Sequence, residues 1–324
     1  MLNLKASESG AVLVSDLVSE YLDDCRVRNL SAQTLEWYAR RLPVILQNHW
    51  NGELSALTIQ DVKSILATML ETRSPATVNG YMRVLKSMLN YAIDSDYEVS
   101  INPRRLKRIK EPQRVPPCFT MEQVAALLRQ PDRSTFFGIR NYTMMCLMLD
   151  VGLRLSELTG LLVSDVNLPY LKVWGKGNKE RILAASDVMV KTLRRYVRVR
   201  ERVVRRSMAE TDLLFPSRTA ERITNRNFDH ILKTYRDAAG VTGVRVSAHT
   251  FRYTYTSQAI RNGMSLTSLQ TCLGHTTLTM SRHYAVLNDA DAFEESRACS
   301  PLANMGKTNE SRGRPIRRPA SRGK

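Results

Sequence analysis

Five short patches in the second half of the chain carry side chains suited to chemistry on a negatively charged group. They are Arg154 in GLRLSEL, Lys176 in WGKGNKER, His249 and Arg252 in HTFR, His275 in LGHTTL, and Tyr284 in RHY. An arginine guanidinium offers paired donors to phosphate oxygens and stays charged at any working pH. A tyrosine can act as a nucleophile, and a histidine can carry a proton. The residue types therefore suit chemistry at an anionic centre.

Each patch taken alone also has an ordinary structural explanation. An arginine after an apolar helix commonly caps the helix end or pairs with a nearby carboxylate, and Glu157 is close enough in sequence to Arg154 for such a pair. His249 and Arg252 are three residues apart, which places them on one helix face where both can approach a single anion, but such pairs are common on surfaces. A tyrosine at the spacing of Tyr284 is usually a core or interface residue.

A zinc site is the alternative use of the histidines. His249, His275 and His283 are three of only five histidines, and three imidazoles can hold zinc. No Asp, Glu or Cys at a suitable spacing completes such a site, so we expect no metal and no cofactor. The five cysteines are scattered without a CxxC pair and are expected to be reduced structural thiols: Cys25, Cys118, Cys146, Cys272 and Cys299.

Length and charge limit the class of protein. A chain of 324 residues is long enough for two domains. Its 48 Lys and Arg against 31 Asp and Glu give a net charge of +17, which favours a nucleic acid, an anionic membrane surface or a ribosomal partner. No window approaches the roughly 18 apolar residues of a membrane span, and the N-terminus lacks a signal peptide pattern. We therefore expect a cytoplasmic protein without a membrane partner.

The elements that must position the patches fall into two groups. Apolar residues at three- and four-residue spacing predict four amphipathic helices, over 15–28, 31–49 with a possible kink at Pro43, 58–72, and from Ser74-Pro75 to 94. The segment from Val99 to Cys118 has four prolines and six Lys or Arg, so it is predicted to be an interdomain linker that supplies no core.

The second group begins where Thr120 can cap a helix. A nearly all-apolar stretch from Tyr142 predicts a buried central helix that stops near Gly152. The strand-like segments LKVW and RILAAS flank GKGNKE and predict a β-hairpin with Lys176 at its tip. Helices are predicted over 187–207 and 225–239, and the last 24 residues are predicted to be a disordered basic tail.

The complete set, in this order, resembles the tyrosine recombinases, also called the phage integrase family. The filled positions are Gly152-Leu153-Arg154, Ser156-Glu157-Leu158, Gly175-Lys176-Gly177, His249-Thr250-Phe251-Arg252, Leu273-Gly274-His275 and Tyr284. The resemblance spans 15–297 and implies a mainly α fold. The implied chain begins with a four-helix, SAM-like core-binding domain and its linker (1–112). An α+β catalytic domain follows, mostly helical with a small antiparallel sheet (113–300), and the tail comes last (301–324).

The resemblance also implies roles for the six residues. Arg154 and Arg252 would grip the scissile phosphate, and Tyr284 would attack it to give a 3′-phosphotyrosyl link that a DNA 5′-hydroxyl later reverses. Lys176 is the expected general acid for the departing 5′-oxygen, with Lys179 as the alternative. In the family neither ATP nor a metal is required.

The two histidines are expected to share one task. His249 and His275 would hydrogen-bond the phosphate or exchange a proton with Tyr284, and their division of labour stays open.

Implied partners are double-stranded DNA sites and further copies of the chain. The family exchanges strands through a Holliday junction as a homotetramer on paired sites, so the segment NDADAFEESRACS is expected to dock into a neighbouring subunit. An accessory directionality factor is a further expected partner. Because no extra domain precedes the four helices, we expect a Xer-like or transposon-type member. The alternatives are a type IB topoisomerase-like nicking and relaxing enzyme, and a DNA-binding protein without catalysis.

Overall fold

The computed structural model describes residues 13–46, 52–112, 117–175, 180–207 and 209–274. The chain divides into two compact units, Met1–Gln113 and Arg114–Lys324. Most of the described elements are helices, with one small sheet in the second unit. Among the described residues, no helix combines the length and apolar character needed to cross a bilayer. The site residues predicted from sequence that are described here all lie in the second unit.

The described residues of the first unit form four long helices. They are α1 (Val14–Val27), α2 (Ala32–Leu46), α3 (Ile59–Thr72) and α4 (Pro75–Asp94), with short 3-10 turns at Leu54–Ala56 and Pro103–Arg105. Thr58 and Asp61 form a capping box at the start of α3, and Ser74 caps α4 ahead of its proline. These caps confirm the predicted starts of both helices. The predicted continuation of α2 beyond 46 lies outside the described residues.

The predicted linker contributes to the core of the first unit. Ile101 and Leu106 are 2% and 3% exposed and pack in the same cluster as α1 to α4. The Asn79 side chain also donates to the carbonyl of Ile109 and accepts from its amide, both at 2.9 Å. The prediction that this segment supplies no core is therefore wrong, because single apolar residues between its charges reach back to the helices.

The second unit is mostly helical around a small antiparallel sheet. In chain order its elements are α5 (Met121–Arg129), α6 (Phe136–Val151), α7 (Leu155–Gly160), a 3-10 turn (Val163–Asp165), β1 (Val166–Asn167), β2 (Tyr170–Trp174), β3 (Glu180–Ala184), α8 (Asp187–Ser207), α9 (Asn225–Ala239), α10 (Ala248–Arg261) and α11 (Leu266–Leu273). The sheet order is β1-β2-β3, with Leu171 opposite Leu183 in the hairpin. The predicted hairpin is confirmed, and β1 is an addition to it.

Helix α6 is the centre of the second unit. Apolar residues on several of its sides are buried, including Met144, Met145 and Leu147, and both α8 and α10 pack against it. It ends at Val151, and the next residue, Gly152, adopts a left-handed conformation with φ of 63° and lies against the ring of Tyr255. A side chain at Gly152 would collide with that ring, so glycine is required at the turn that leads to Arg154.

Candidate active site

Arg154 lies at the start of α7, immediately after the Gly152 turn. Its backbone amide donates to Glu157 Oε2 at 2.9 Å, and its Nη1 donates to Glu157 Oε1 at 2.8 Å. The Glu157 side chain is 2% exposed, whereas the Arg154 side chain keeps 31% of its surface in solvent. The ion pair predicted as the ordinary explanation of Arg154 is thus present. It fixes one end of a guanidinium whose remaining surface stays accessible.

Arg181 on β3 binds the same carboxylate. Its Nη1 and Nη2 donate to Glu157 Oε1 and Oε2 at 2.9 and 2.8 Å, in the two-point geometry that arginine forms with carboxylates. Its Nε donates to the carbonyl of Cys272 at 3.0 Å. Burial raises the pKa of Glu157, but hydrogen bonds from Arg181 and from Arg154 outweigh it and leave the pKa below its ordinary value. Glu157 therefore remains a carboxylate shared by two arginines.

Arg252 is buried in α10, at 6% exposure. Its Nη1 donates to the carbonyl of Gly152, and its Nη2 donates to the carbonyl of Leu273 at 2.8 Å. The first bond reaches the turn two residues before Arg154, and the second reaches the end of α11 two residues before His275. The guanidinium of Arg252 thus connects the two backbone segments that carry these predicted site residues.

His249 occupies a different environment on the same helix. The imidazole is exposed, and its ring centre lies 6.2 Å from that of Tyr253. The helix predicted for His249 and Arg252 is confirmed, but Arg252 is turned into the protein while His249 lies at its surface. Tyr255, one turn further on, packs on Gly152, and burial raises its pKa to about 12.

The other predicted site residues lie outside the described part of the chain. This applies to Lys176 and its alternative Lys179 between β2 and β3, to His275, and to Tyr284. Of the three histidines considered as zinc ligands, only His249 is described. The described chain ends at Gly274, and the carbonyls of Cys272 and Leu273 just before it accept from Arg181 and Arg252.

Arg181 was not selected from the sequence. Its side chain is 13% exposed, and its three partner atoms lie on α7 and at the end of α11. The sequence shows only an arginine on a strand of the predicted active-site hairpin. Arginines on strands are too common for that feature to identify a functional residue. Gly274 belongs to the same contact, since an added Cβ there would lie 3.2 Å from Arg181 Nη1.

Comparison with known proteins shows the family of this chain. The family model described as the phage integrase family matches residues 117–291. The tyrosine recombinase XerD of Yersinia pestis is 31% identical over 274 residues, covering 83% of this chain and 91% of the relative. XerD of Listeria monocytogenes serovar 1/2a is 29% identical over 280 residues, covering 84% and 94%.

Solved structures share the fold at lower identity. XerH recombinase in a post-cleavage complex with palindromic difH substrate aligns with a TM-score of 0.69 and 20% identity, over 88% of this chain and 84% of that one. A lambda integrase tetramer bound to a Holliday junction aligns with a TM-score of 0.67 and 16% identity, over 85% and 77%. The two-unit, mainly helical fold with its small sheet is the fold of tyrosine recombinases.

The fold and the family match define an enzyme that breaks and rejoins DNA strands. The chain belongs to the phage integrase family, the site-specific tyrosine recombinases.

Proposed function

We propose that this recombinase cuts DNA with Tyr284 while Arg154 and Arg252 bind the scissile phosphate. The observation that carries the proposal is the bond from Arg252 to the Gly152 carbonyl, because it fixes one guanidinium at the turn from which the other arises. Two cations held near one backbone turn suit the negative charge that builds on the non-bridging oxygens in the transition state. Arg154, with 31% of its side chain exposed, has the surface to meet a phosphate.

In the proposed reaction, the phenolic oxygen of Tyr284 attacks the scissile phosphorus and the bond to the 5′-oxygen breaks. Lys176 gives a proton to that oxygen, with Lys179 as the alternative donor. The product is a 3′-phosphotyrosyl link and a free 5′-hydroxyl. Attack by a 5′-hydroxyl on this link reverses the steps and rejoins the DNA. Because the phosphotyrosyl bond conserves the energy of the broken phosphodiester, no ATP is needed. His249 and His275 would assist by binding the phosphate or by taking the tyrosine proton.

We extend the proposal to the assembly. Residues 1–112 would clamp the DNA duplex, 113–300 would cut it, and 301–324 would form a basic tail. Four copies on paired sites would exchange strands through a Holliday junction, and a lambda integrase tetramer bound to a Holliday junction is one of the solved structures that share the fold. An accessory protein would bias the direction of exchange. The reaction would take place in the cytoplasm.

Covalent trapping tests the nucleophile. Randomly nicked DNA from the source organism supplies suicide sites, because the short fragment bearing the new 5′-hydroxyl diffuses away and leaves the adduct stable. The wild-type protein should form an adduct that survives denaturing electrophoresis, and Tyr284→Phe should not. Tyr253→Phe and Tyr255→Phe are the matched controls and should retain the adduct. An adduct that persists in Tyr284→Phe would overturn the assignment.

Sequencing of the trapped strands separates recombination from the alternatives. A site-specific recombinase should be linked to the 3′ ends of one short sequence, and two copies of that sequence should then exchange strands in a purified reaction. A topoisomerase-like enzyme would give adducts without exchange between marked sites. A DNA-binding protein without catalysis would give no adduct in any variant.

A further inference from the structure

Helix α8 carries two structurally different kinds of cation. Arg200 is 5% exposed and donates to the carbonyls of Leu213 and Thr211, at 2.9 and 2.5 Å, so it holds the following loop. A second set is exposed along the whole helix, and we call it the α8 ridge: Lys191, Arg194, Arg195, Arg198, Arg202 and Arg205. The ridge has no such structural task, which raises the question of what it binds.

The ridge is a continuous stripe. Its members recur at three- and four-residue spacing and therefore share one side of the helix, opposite the buried Leu193 and Tyr196. From Lys191 to Arg205 the stripe is about 21 Å long at 1.5 Å per residue. A surface cavity of about 390 Å³ lies among five of the six cations. A second cavity, of about 210 Å³, is shared by Lys191, Arg195 and the neighbouring Arg133.

The charge of the ridge is not balanced by the protein that surrounds it. In the described ranges, none of its six members forms an ion pair, and α8 itself has only two carboxylates, Asp187 and Glu201. Like charges one turn apart destabilise a helix by about 0.2–0.5 kcal/mol per pair, so the stripe costs stability in the free protein. A polyanion laid along α8 would remove that repulsion.

We propose that the α8 ridge binds the sugar-phosphate backbone of duplex DNA as a contact surface additional to the active site. Five of its six cations are arginines, whose planar groups match phosphate oxygens better than lysine does. A membrane surface fits less well, because an interfacial helix must insert an apolar face and the apolar face of α8 is buried in the core. The ridge shares no residue with the cluster of Arg154, Glu157, Arg181 and Arg252. The choice of DNA rests on the activity of the family.

The salt dependence of DNA binding tests the ridge. Arg194, Arg198 and Arg202 are changed together to Gln, in a Tyr284→Phe background so that no covalent adduct contributes. The probe is a fluorescent duplex of about 40 bp and arbitrary sequence, titrated at several NaCl concentrations. Each lost phosphate contact lowers the slope of log K against log salt by about 0.9, so the triple variant should lose about 2–3 units of slope. Between about 50 and 200 mM salt the parent should therefore lose about 40-fold more affinity than the variant.

Two controls make the result specific. Changing Lys172 and Arg236 to Gln removes two charges of the second unit from side chains that already pair with carboxylates, and it should leave the slope within about half a unit of the parent. The matched ridge variant, with Arg194 and Arg198 changed to Gln, should lose about 1.8 units. Changing the three ridge arginines to Lys keeps the charge and should restore most of the slope. Unchanged slope in the Gln variants, or equal loss in the paired control and the matched ridge variant, would overturn the proposal. So would a defect confined to binding of phosphatidylserine-containing vesicles. None of these outcomes depends on Tyr284 being the nucleophile.

Discussion

Two groups of arginines in the second unit differ in what they touch. Arg154, Arg181 and Arg252 each donate to a named carboxylate or carbonyl, and Arg252 is almost fully buried. The α8 ridge has the same type of side chain in solvent, without an ion pair in the described part of the chain. Directional hydrogen bonds fix the position of the first group, whereas the second group has no such bonds among the described residues and is proposed to act on DNA. The difference predicts separate effects on folding, catalysis and DNA affinity.

The two groups also differ in their energetic role. Removing one partner from a buried ion pair is costly, because the remaining charge or polar atom is left without water or a partner. Removing an exposed charge usually changes the free energy of unfolding by less than about 0.5 kcal/mol. Substitutions around Gly152 should therefore affect stability and activity together, while substitutions on the ridge should affect binding only.

The largest expected effect is that of Arg252→Met. The change leaves the carbonyls of Gly152 and Leu273 without their donor, at about 1–3 kcal/mol for each buried group. We expect the free energy of unfolding in urea to fall by about 2–5 kcal/mol and adduct formation to be lost. Arg194→Met, on the ridge, is the control and should unfold as the parent does. If the two variants were equally stable, the buried arginines would not differ from the ridge arginines in their contribution to the fold.

Glu157→Gln should have the next largest effect. The amide has nearly the same shape, but it can neither neutralise two guanidinium groups nor accept all of their hydrogen bonds. Hydrogen bonds to charged groups contribute about 1.5–3 kcal/mol, so we expect a loss of about that size together with slower cleavage. The matched control is Glu201→Gln, an exposed carboxylate on α8. If both variants were equally stable, the shared carboxylate would not hold the site together.

The same carboxylate gives a pH dependence with a definite sign. The pKa of Glu157 is lower in the folded protein than the unfolded value of about 4.3. Its contribution to stability is therefore complete above that value and declines as the pH falls through the folded pKa. The stability gap between the wild type and Glu157→Gln should be largest near neutral pH and should close under acid conditions. Urea unfolding measured at several pH values checks this, and a constant gap would contradict it.

Arg181→Lys should separate positioning from folding. An ammonium group cannot make the two bonds to Glu157 and also the bond to the Cys272 carbonyl. We expect a loss of about 1 kcal/mol in stability and a cleavage rate reduced about 10- to 100-fold at saturating DNA, since small displacements of reacting groups are costly. Affinity for DNA should stay within about twofold of the parent.

The control for Arg181→Lys breaks an exposed pair. Lys172→Gln removes the partner of Glu180 on the neighbouring strand, where both side chains are more than 40% exposed. It should change stability by less than about 1 kcal/mol. If the slower cleavage by Arg181→Lys were fully explained by a smaller fraction of folded protein, Arg181 would serve the fold and not the positioning of the reacting groups.

Local signals in the sequence predicted much of this fold. The bounds of α8 and α9 are those predicted, and α6 ends at Val151, beside the predicted stop near Gly152. Caps, glycine and helical periodicity act over a few residues, so they can be recognised without a structure. The family resemblance, which rested on the order of six residues, is confirmed by the family match and by the relatives. The roles of all six site residues stay predictions, and Lys176, His275 and Tyr284 lie outside the described residues.

Long-range contacts were not accessible in this way. Arg181 lies 24 residues from Glu157, and Arg252 lies 100 residues from Gly152. Nothing in the local spacing indicates that these pairs meet. Strand β1, with two residues, is too short to show the alternation that predicts a strand. Ile101 and Leu106 were missed because two apolar residues among many charges do not form a periodic pattern.

The smallest expected effect is that of Arg198→Gln, a single change at the middle of the α8 ridge. Glutamine and arginine have nearly equal helix propensities, and Arg198 is exposed, so stability should not fall and should rise by at most about 1 kcal/mol as repulsion from its ridge neighbours is lost. The slope of log K against log salt for duplex DNA should fall by about 0.9, the value for one phosphate contact. A loss of stability without a change in slope would mean that the ridge arginines, like those around Gly152, serve the fold. The two groups of arginines would then not differ in role.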